Sequence, residues 1–190
     1  PWMIITGSGS TGAPKNIPVS HAQFLAQRDI YNQALDLGPS DTVASLLSLD
    51  SVVKRERFVD TLLNGACVVV SPRPLPDPIG WLRQQAVRVL WSTVVQAERL
   101  LVAPGAGTAD ALPSLRMLML GSSSVSERLR RRILARLTPN LHVYYGTNEV
   151  GLVTLARPAD LLASAQTVGY VVAGVKVQVV DDSDTPLPTG

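Results

Sequence analysis

A glycine-rich segment near the amino terminus, residues 6–15 with the sequence TGSGSTGAPK, has the composition of a phosphate-binding loop. Its residues 7–15 combine three glycines, three hydroxyl side chains and one cation: Gly7, Gly9, Gly12, Ser8, Ser10, Thr11 and Lys15. Glycine permits positive φ angles, so consecutive backbone N–H groups can converge on one anion. Since a polyphosphate requires many donors and compensating positive charge, the segment is predicted to bind phosphate. A flexible linker is the alternative, but this loop joins an apolar strand to a capped helix.

Two widespread nucleotide loops fit this segment incompletely. The Walker pattern has its two glycines at the spacing of Gly7 to Gly12, but Ala13 stands where that pattern needs lysine. The dinucleotide pattern G-x-G-x-x-G does match Gly7 to Gly12. However, it requires an acidic residue after a second strand, whereas Asp29 and Asp36 fall on the first predicted helix. Neither loop type is therefore assigned.

Short apolar, β-branched runs alternate with amphipathic segments along the chain, and this alternation predicts an α/β fold. The predicted strands are residues 2–6, 42–47, 66–70, 87–91, 116–120, 141–145 and 175–180. The predicted helices are residues 20–37, 55–63, 79–86, 95–102 and 126–137. Strand–helix–strand order favours a mostly parallel sheet flanked by helices. Such sheets bind ligands at the carboxyl ends of their strands.

Composition limits the classes of function. With 17 basic and 15 acidic residues the net charge is +2, which does not argue for a nucleic-acid partner. Five arginines between Glu127 and Leu137 are predicted to lie on the solvated face of a helix whose other face is apolar. No apolar run is long enough for a membrane span. Cys67, the sole cysteine, lies in an apolar run, which predicts core packing and a reducing, cytoplasmic location.

Three segments, in order, resemble the adenylate-forming (AMP-binding) superfamily of acyl-CoA synthetases, luciferases and nonribosomal peptide synthetase adenylation domains. Residues 8–15 resemble its phosphate loop, with Gly7 and Asn16 as departures. Residues 145–149, YGTNE, resemble its Y-G-x-T-E motif, with Asn148 where threonine is usual. Residues 169–181 resemble a later glycine-to-aspartate stretch. The resemblance covers essentially all 190 residues and implies part of the family's large N-terminal domain.

The resemblance implies roles for these residues in ATP-dependent activation of a carboxylic acid. Lys15, Thr11 and Glu149 would be catalytic, and Glu149 with Thr11 would hold Mg²⁺. The implied ATP-binding residues are Ser8, Gly9, Ser10, Thr11, Gly12, Lys15, Gly121, Ser122, Ser123, Tyr145, Gly146, Thr147 and Asn148. The acyl-adenylate would then pass to a thiol, either CoA or a carrier-protein phosphopantetheine. The oligomeric state is left open.

The same resemblance indicates what lies outside residues 1–190, namely the ribose-binding aspartate and the C-terminal domain with its catalytic lysine. The 190-residue chain by itself is therefore expected not to complete adenylation. Residues 49–51, LDS, fall where peptide synthetases carry an acid-selecting aspartate, but the match is poor and a loop aspartate is the preferred interpretation. His21 is interpreted as a helix-start residue and His142 as structural. The alternative function is a nucleotide-binding module of this family that no longer catalyses.

Overall fold

The structure, a computed structural model, describes residues 1–7, 15–47, 52–164 and 166–188. The strands are β1 Met3–Gly7, β2 Lys15–Val19, β3 Thr42–Ser45, β4 Cys67–Val69, β5 Val89–Thr93, β6 Met117–Gly121, β7 Leu141–Thr147, β8 Gly151–Ala156 and β9 Tyr170–Val171. The helices are α1 His21–Leu35, α2 Val52–Leu63, α3 Pro78–Gln84, α4 Val94–Val102, α5 Glu127–Arg136 and α6 Pro158–Ala163.

A seven-stranded sheet in the order β4-β3-β5-β6-β7-β8-β9 forms the centre of the described chain. The pairs from β4 to β7 are parallel, and β8 and β9 add antiparallel strands at one edge. Helices connect the parallel strands, as the alternating sequence pattern predicts. The predicted fold class, a mostly parallel sheet flanked by helices, is therefore confirmed.

Alternating side chains of the central strands enter cores on both faces of this sheet. In β6, Leu118 and Leu120 pack on one face with α3, α4 and α5, whereas Met117 and Met119 pack on the other with α1. This arrangement explains why the strand sequences are continuously apolar, since both faces are buried. The two helical layers hold the carboxyl ends of β5, β6 and β7 side by side.

The strands β1 and β2 form a separate antiparallel hairpin, and residues 8–14 connect them. Ile5 and Val19 of the hairpin pack with Phe24 of α1, and the ring of Trp2 stacks on Phe24 at 4.4 Å between centroids. Ser20 caps α1: its hydroxyl accepts a hydrogen bond from the Gln23 N–H at 3.2 Å, and the Gln23 side chain accepts one from the Ser20 N–H at 2.8 Å. The hairpin is thus fixed against the start of α1.

A cluster of ion pairs around Asp41 lies at the end of the sheet where the parallel strands begin, opposite their carboxyl ends. Arg116 donates to the Asp41 carboxylate from Nε and from Nη2, each at 2.7 Å, and Arg88 donates at 3.3 Å. The Gly38 N–H donates to the same carboxylate at 3.1 Å. Since Asp41 is 3% exposed, its charge is buried but fully compensated. This cluster joins the chain before β3 to the starts of β5 and β6.

Several sequence-based expectations differ from the structure. Residues 175–180 were expected to form a strand, but in the described chain they form only an isolated bridge from Val180 to Pro186. Val177 and Val179 there are exposed, so the apolar alternation has no sheet to pack on. The strands β2, β8 and β9 and the helix α6 were not expected. Helix α1 ends at Leu35 instead of residue 37, because Asp36 adopts a left-handed conformation. No helix among the described residues is long and apolar enough to cross a membrane.

Candidate functional site

A cleft of about 680 Å³ opens at the carboxyl ends of β6 and β7. One wall is the turn after β6, Ser122 to Ser126, and the other is Val143 to Gly146 of β7. Gln166 and Val168, which precede β9, close a third side. A cavity of this volume suits a small-molecule ligand, and its place at the ends of neighbouring parallel strands is typical of α/β ligand sites.

The turn after β6 has a backbone that brings polar groups to the cleft. Ser122 has a φ of 71°, a left-handed conformation that is unusual for a residue with a side chain. Ser122 and Ser123 both line the cavity. The neighbouring Gly121 does not line it; instead it adjoins the Tyr144 ring, which leaves no room for a side chain there. Two of the three residues predicted from this turn are therefore in the cleft, and Gly121 lies behind it.

Tyr145 and Gly146, at the end of β7, form the facing wall. Tyr145 is 53% exposed, so its ring face is accessible to a ligand. The pairing of β7 with β8 shifts register between Tyr145 and Gly146. A side chain at position 146 would collide with the carbonyl oxygen of Gly151, and Gly151 itself has a φ of 82°. Gly146 is thus required by its close approach to Gly151, and Gly151 is favoured by its positive φ; Tyr145, beside this irregularity in the strand pairing, lines the cleft.

The turn from β7 to β8 carries Thr147, Asn148 and Glu149, all exposed. The Thr147 hydroxyl accepts a hydrogen bond from the Val150 N–H at 3.2 Å, which stabilises the turn. The Gln27 side chain of α1 donates to the Glu149 carbonyl at 3.4 Å. This bond links the turn to α1, the helix that follows the β1–β2 hairpin.

The predicted phosphate-binding residues Ser8, Gly9, Ser10, Thr11 and Gly12 lie outside the described residues, as does the side chain of Lys15. The backbone at both ends of the loop is described, since Gly7 and Lys15 pair in the hairpin. Next to that pair, the Thr6 hydroxyl donates to the Asn16 side-chain oxygen at 3.2 Å. Asn16, a departure from the family motif, therefore closes the base of the loop.

Among the remaining predictions, that for Cys67 is wrong, whereas those for His142 and His21 agree with the structure. Cys67 was expected in the core but is exposed, because β4 is a three-residue strand at the edge of the sheet. His142 is buried, its Nδ1 lies 3.0 Å from the Asn140 carbonyl oxygen, and burial lowers the pKa of its imidazole. His21 is the first residue of α1 and is exposed. Residues 49–51, considered for acid selection, lie outside the described part of the chain.

Arg130 is a cleft residue that the sequence interpretation missed. The arginines of α5 were expected in solvent, but Arg130 is 5% exposed and lines the cavity. Its spacing to Ile133 and Leu137, three and seven positions on, places it on the apolar stripe of the helix. That spacing is the signal that could have identified it. The prediction of a solvated arginine face is therefore wrong at this one position.

A buried charged cluster lies behind Tyr144, on the α1 face of the sheet. The Tyr144 and Trp91 rings meet edge to face, 5.4 Å between centroids. Beyond them the Arg57 guanidinium of α2 lies 3.4 Å from the Tyr31 ring centroid and 3.5 Å from the Asp60 carboxylate. Burial raises the pKa of the Tyr144 phenol, so this hydroxyl stays neutral across the physiological range. Tyr144 is the member of this cluster that lines the cleft.

Comparison with known proteins agrees with this architecture. A family model described as "AMP-binding enzyme" matches residues 1–190. Indoleacetate–CoA ligase of Aromatoleum aromaticum is 28% identical over 100% of this chain and 38% of its own length. L-Proline–[L-prolyl-carrier protein] ligase of Streptomyces coelicolor is 30% identical, over 93% of this chain and 35% of its own length.

A solved structure shares the fold. The Vibrio cholerae adenylation domain AlmE, in complex with glycyl-adenosine-5'-phosphate, superposes with a TM-score of 0.82 at 22% identity, covering 98% of this chain and 37% of that one. The chain thus spans less than two fifths of the length of each of these three proteins.

Proposed function

The chain belongs to the AMP-binding enzyme family over residues 1–190, and from this premise we propose that the protein containing it activates a carboxylic acid with ATP. A carboxylate oxygen attacks the α-phosphorus, the bond from that phosphorus to the α,β-bridging oxygen breaks, and pyrophosphate leaves. The product is an acyl-adenylate. The family's members include a CoA ligase and a carrier-protein ligase, so both acid–thiol ligase subclasses are represented among the relatives.

The observation that carries this proposal is the cleft between the turn after β6 and the end of β7. It lies at the carboxyl ends of parallel strands and presents serine hydroxyls on one side and an accessible tyrosine ring on the other. A purine can stack on such a ring while its edges reach polar groups. We assign Ser122, Ser123, Tyr145 and Gly146 to the adenine-binding part of the site, with Gly121 in support.

The glycine-rich loop is assigned to the triphosphate. In-line displacement at phosphorus depends mainly on positioning and on neutralising charge. Backbone N–H groups and hydroxyls of residues 8–12 would hold the β- and γ-phosphates, and Lys15 would offset the charge of the departing pyrophosphate. The Gln27–Glu149 bond supports this assignment, because it ties the helix behind the hairpin to the turn after β7.

The oxygen donors proposed for this site suit Mg²⁺. Among the described residues no group of three or more histidine, cysteine, aspartate or glutamate side chains is arranged to hold a metal ion by itself. The exposed Glu149 carboxylate and the Thr11 hydroxyl are hard oxygen donors, and phosphate oxygens of ATP would complete the coordination. When bound, Mg²⁺ would neutralise phosphate charge. Glu149 would contribute the protein's carboxylate, and the Asn148 amide would donate a hydrogen bond to the α-phosphate.

The remaining steps are proposed for the whole protein. Residues 1–190 would be the central portion of the large N-terminal domain, and a C-terminal domain with a lysine would lie outside them. The acyl group would then pass to the thiol of CoA or of a carrier-protein phosphopantetheine. We place the reaction in the cytoplasm, with a carboxylic acid as substrate and without nucleic acid as a partner.

A module that binds nucleotide without catalysis is the second candidate. Asn148 favours it, since an amide on a longer arm replaces a threonine hydroxyl beside the α-phosphate. Asn16 does not favour a loss of catalysis in the same way, because its side chain accepts a hydrogen bond from Thr6 and stabilises the base of the loop. The two candidates differ in whether ATP–pyrophosphate exchange occurs.

Lys15→Ala and Glu149→Ala test the site in the full-length protein. Each is expected to lower ATP–pyrophosphate exchange by about a hundredfold or more, because Lys15→Ala removes a cation that would offset the pyrophosphate charge and Glu149→Ala removes the carboxylate that would hold Mg²⁺. Lys176→Ala and Glu98→Ala are matched controls, since both side chains are exposed and lie outside the assigned site. Their exchange rates are expected to stay within about twofold of wild type. Full exchange and nucleotide affinity in both site variants would remove the assignment.

A further inference from the structure

A second cavity, of about 310 Å³, lies at the carboxyl ends of the neighbouring parallel strands β3 and β4. Leu46 directly follows β3, and Ser71 follows β4 after one intervening residue. The strand β5 separates this pair from β6 and β7, and no described residue lines both this cavity and the cleft. The cavity is therefore distinct from the cleft, but it lies at the same edge of the sheet, where α/β proteins bind ligands.

Four polar side chains of the described chain line this cavity: Ser71, Arg73, Gln96 and Arg99. Arg73 and Arg99 are exposed, so a ligand that enters from solvent can reach both guanidinium groups. Gln96 and Arg99 lie three positions apart on α4 and therefore on one face of that helix. The Gln96 side-chain oxygen accepts a hydrogen bond from the Thr93 N–H at 3.1 Å, which leaves the amide NH₂ group as a donor.

The two arginines have no carboxylate partner within residues 1–7, 15–47, 52–164 and 166–188. Asp77 is the acidic residue nearest to Arg73 in sequence, but its carboxylate caps α3 by accepting from the Gly80 N–H at 2.8 Å. Glu98 adjoins Arg99 in sequence but does not line the cavity. Neither guanidinium is therefore neutralised by the described chain.

A third cation lies near Arg73. Lys54 of α2 is 2% exposed, and its ammonium group donates to the Leu47 carbonyl at 2.6 Å. Burial and, after it, the charge of Arg73 lower the pKa of this ammonium group. Two positive charges thus repel each other beside the cavity. An anion bound there would offset this repulsion.

The rest of the cavity wall is apolar and consists of Leu46, Leu75 and Leu100 with Pro72 and Pro78. Such a wall suits an uncharged organic group, whereas the guanidinium groups suit an anion. A phosphate monoester carries about two negative charges at neutral pH and three terminal oxygens, which matches two guanidinium groups and two further donors. A carboxylate has one charge and two oxygens, so it would leave one guanidinium without a counter-charge.

We propose that this cavity is a second anion site, which binds the phosphate monoester of a small organic molecule. Arg73 and Arg99 bind the phosphate, Gln96 and Ser71 donate further hydrogen bonds, and the apolar wall contacts the organic group. The inference goes beyond the proposed function and does not depend on it, because none of the described residues assigned to ATP lines this cavity.

Calorimetric titration of the full-length protein with phenyl phosphate tests the site. We expect binding, with an affinity about tenfold lower in Arg73→Gln and in Arg99→Gln, since each change removes a charged donor. Arg128→Gln is the matched control, because this arginine is exposed on α5 and lines neither cavity; it should bind like the wild type. Lys15→Ala should also keep the affinity, which separates the cavity from the glycine-rich loop.

Two further probes define the ligand. Benzoate has the same ring with a carboxylate, and we expect it to bind about tenfold or more weakly than phenyl phosphate because it carries one charge instead of about two. Inorganic phosphate should also bind more weakly, because it leaves the apolar wall without a partner. Urea unfolding checks the fold of the variants; since Arg73 and Arg99 are exposed and unpaired in the described chain, their midpoints should match the wild type.

Four results would overturn the inference. The first is a folded wild-type protein that does not bind phenyl phosphate. The second is equal affinity in the wild type and both arginine variants, and the third is loss of affinity in Lys15→Ala alone, which would assign the phosphate to the glycine-rich loop. The fourth is benzoate or inorganic phosphate binding as tightly as phenyl phosphate. Pyrophosphate exchange is not measured in this experiment, so a failure of the proposed function would be seen separately.

Discussion

The Tyr144 ring lies in the space that a side chain at Gly121 would need: a Cβ added there would come within 2.6 Å of two ring atoms. The two residues sit on the neighbouring strands β6 and β7, at the ends that form the cleft. Glycine at position 121 is therefore a packing requirement of the site.

Replacing Gly121 with alanine should destabilise the protein by about 1–3 kcal/mol, because the Tyr144 ring must move within a close-packed wall. Urea unfolding measures the change. Gly107→Ala is the matched control, since nothing lies within 4 Å of a Cβ at that position. Equal stability of the two variants would show that the Tyr144 ring yields freely. Nucleotide affinity should fall in Gly121→Ala and stay unchanged in Gly107→Ala.

The Asp41 carboxyl makes the stability of the folded protein depend on pH in the acid range. Burial by itself would raise the pKa of this carboxyl, but hydrogen bonds from Arg116, the Gly38 N–H and Arg88 lower it below the ordinary value. Because the folded-state pKa is lower than the unfolded value of about 4, the ionised carboxyl stabilises the folded protein at pH values above about 4. This contribution is lost as the pH falls through the folded pKa.

Asp41→Asn tests this contribution to stability, because it keeps the shape of the side chain and removes its charge. Its free energy of unfolding should be about 2 kcal/mol below wild type at pH 7, for hydrogen bonds to a charged group. The difference should begin to shrink as the pH falls below about 4, where the unfolded carboxyl takes up a proton, and should be lost as the pH falls through the lower pKa of the folded state. Denaturant titrations across this pH range measure it. A difference that stays constant with pH would contradict the ion cluster.

Cys67 should react with thiol reagents in the folded protein. The sequence places it in an apolar run, but the structure exposes it on the edge strand β4. Labelling by a water-soluble disulfide reagent is expected to proceed at nearly the same rate in native buffer and in denaturant. Protection by a hundredfold or more in native buffer would mean that another segment covers this strand edge.

Asn148 is the departure from the family motif closest to the proposed chemistry. Asn148→Thr should raise kcat for pyrophosphate exchange by about tenfold, because a shorter hydroxyl arm restores one hydrogen bond to a charged phosphate. The side chain is exposed in a turn, so stability should not change by more than about 0.5 kcal/mol. An unchanged kcat would show that the amide already serves this position.

The central strands were predictable because both their faces are buried. Continuous apolar sequences in β5 and β6 identify such strands without knowledge of the tertiary structure. The short strand β2 contains Pro18 and Lys15 and exists through its pairing with β1, so no local pattern reveals it. Conversely, the alternation in residues 175–180 indicates a strand, but only neighbouring strands could stabilise one there.

Part of the cleft is marked in the sequence by glycines. Gly121 and Gly146 stand at positions where a side chain would meet a ring or a carbonyl, so the sequence carries their structural constraint. Arg130 shows the limit, because its spacing to Ile133 and Leu137 places it on the apolar stripe, but nothing in the sequence identifies the groups that would accept its hydrogen bonds. Its burial depends on carbonyls of Val125 and Thr167, and Thr167 is 37 residues away in sequence. Long-range partners of this kind become visible only in the folded structure.

The most direct test of acid activation is carboxylate-dependent ATP–pyrophosphate exchange by the full-length protein, with amino, aryl and fatty acids as the panel. The 190-residue chain is assayed in parallel. We expect the full-length protein to exchange pyrophosphate with one class of acid, and the shorter chain to show no complete turnover. Absence of exchange with every acid, in a folded protein that binds Mg·ATP, would contradict acid activation and favour the module without catalysis.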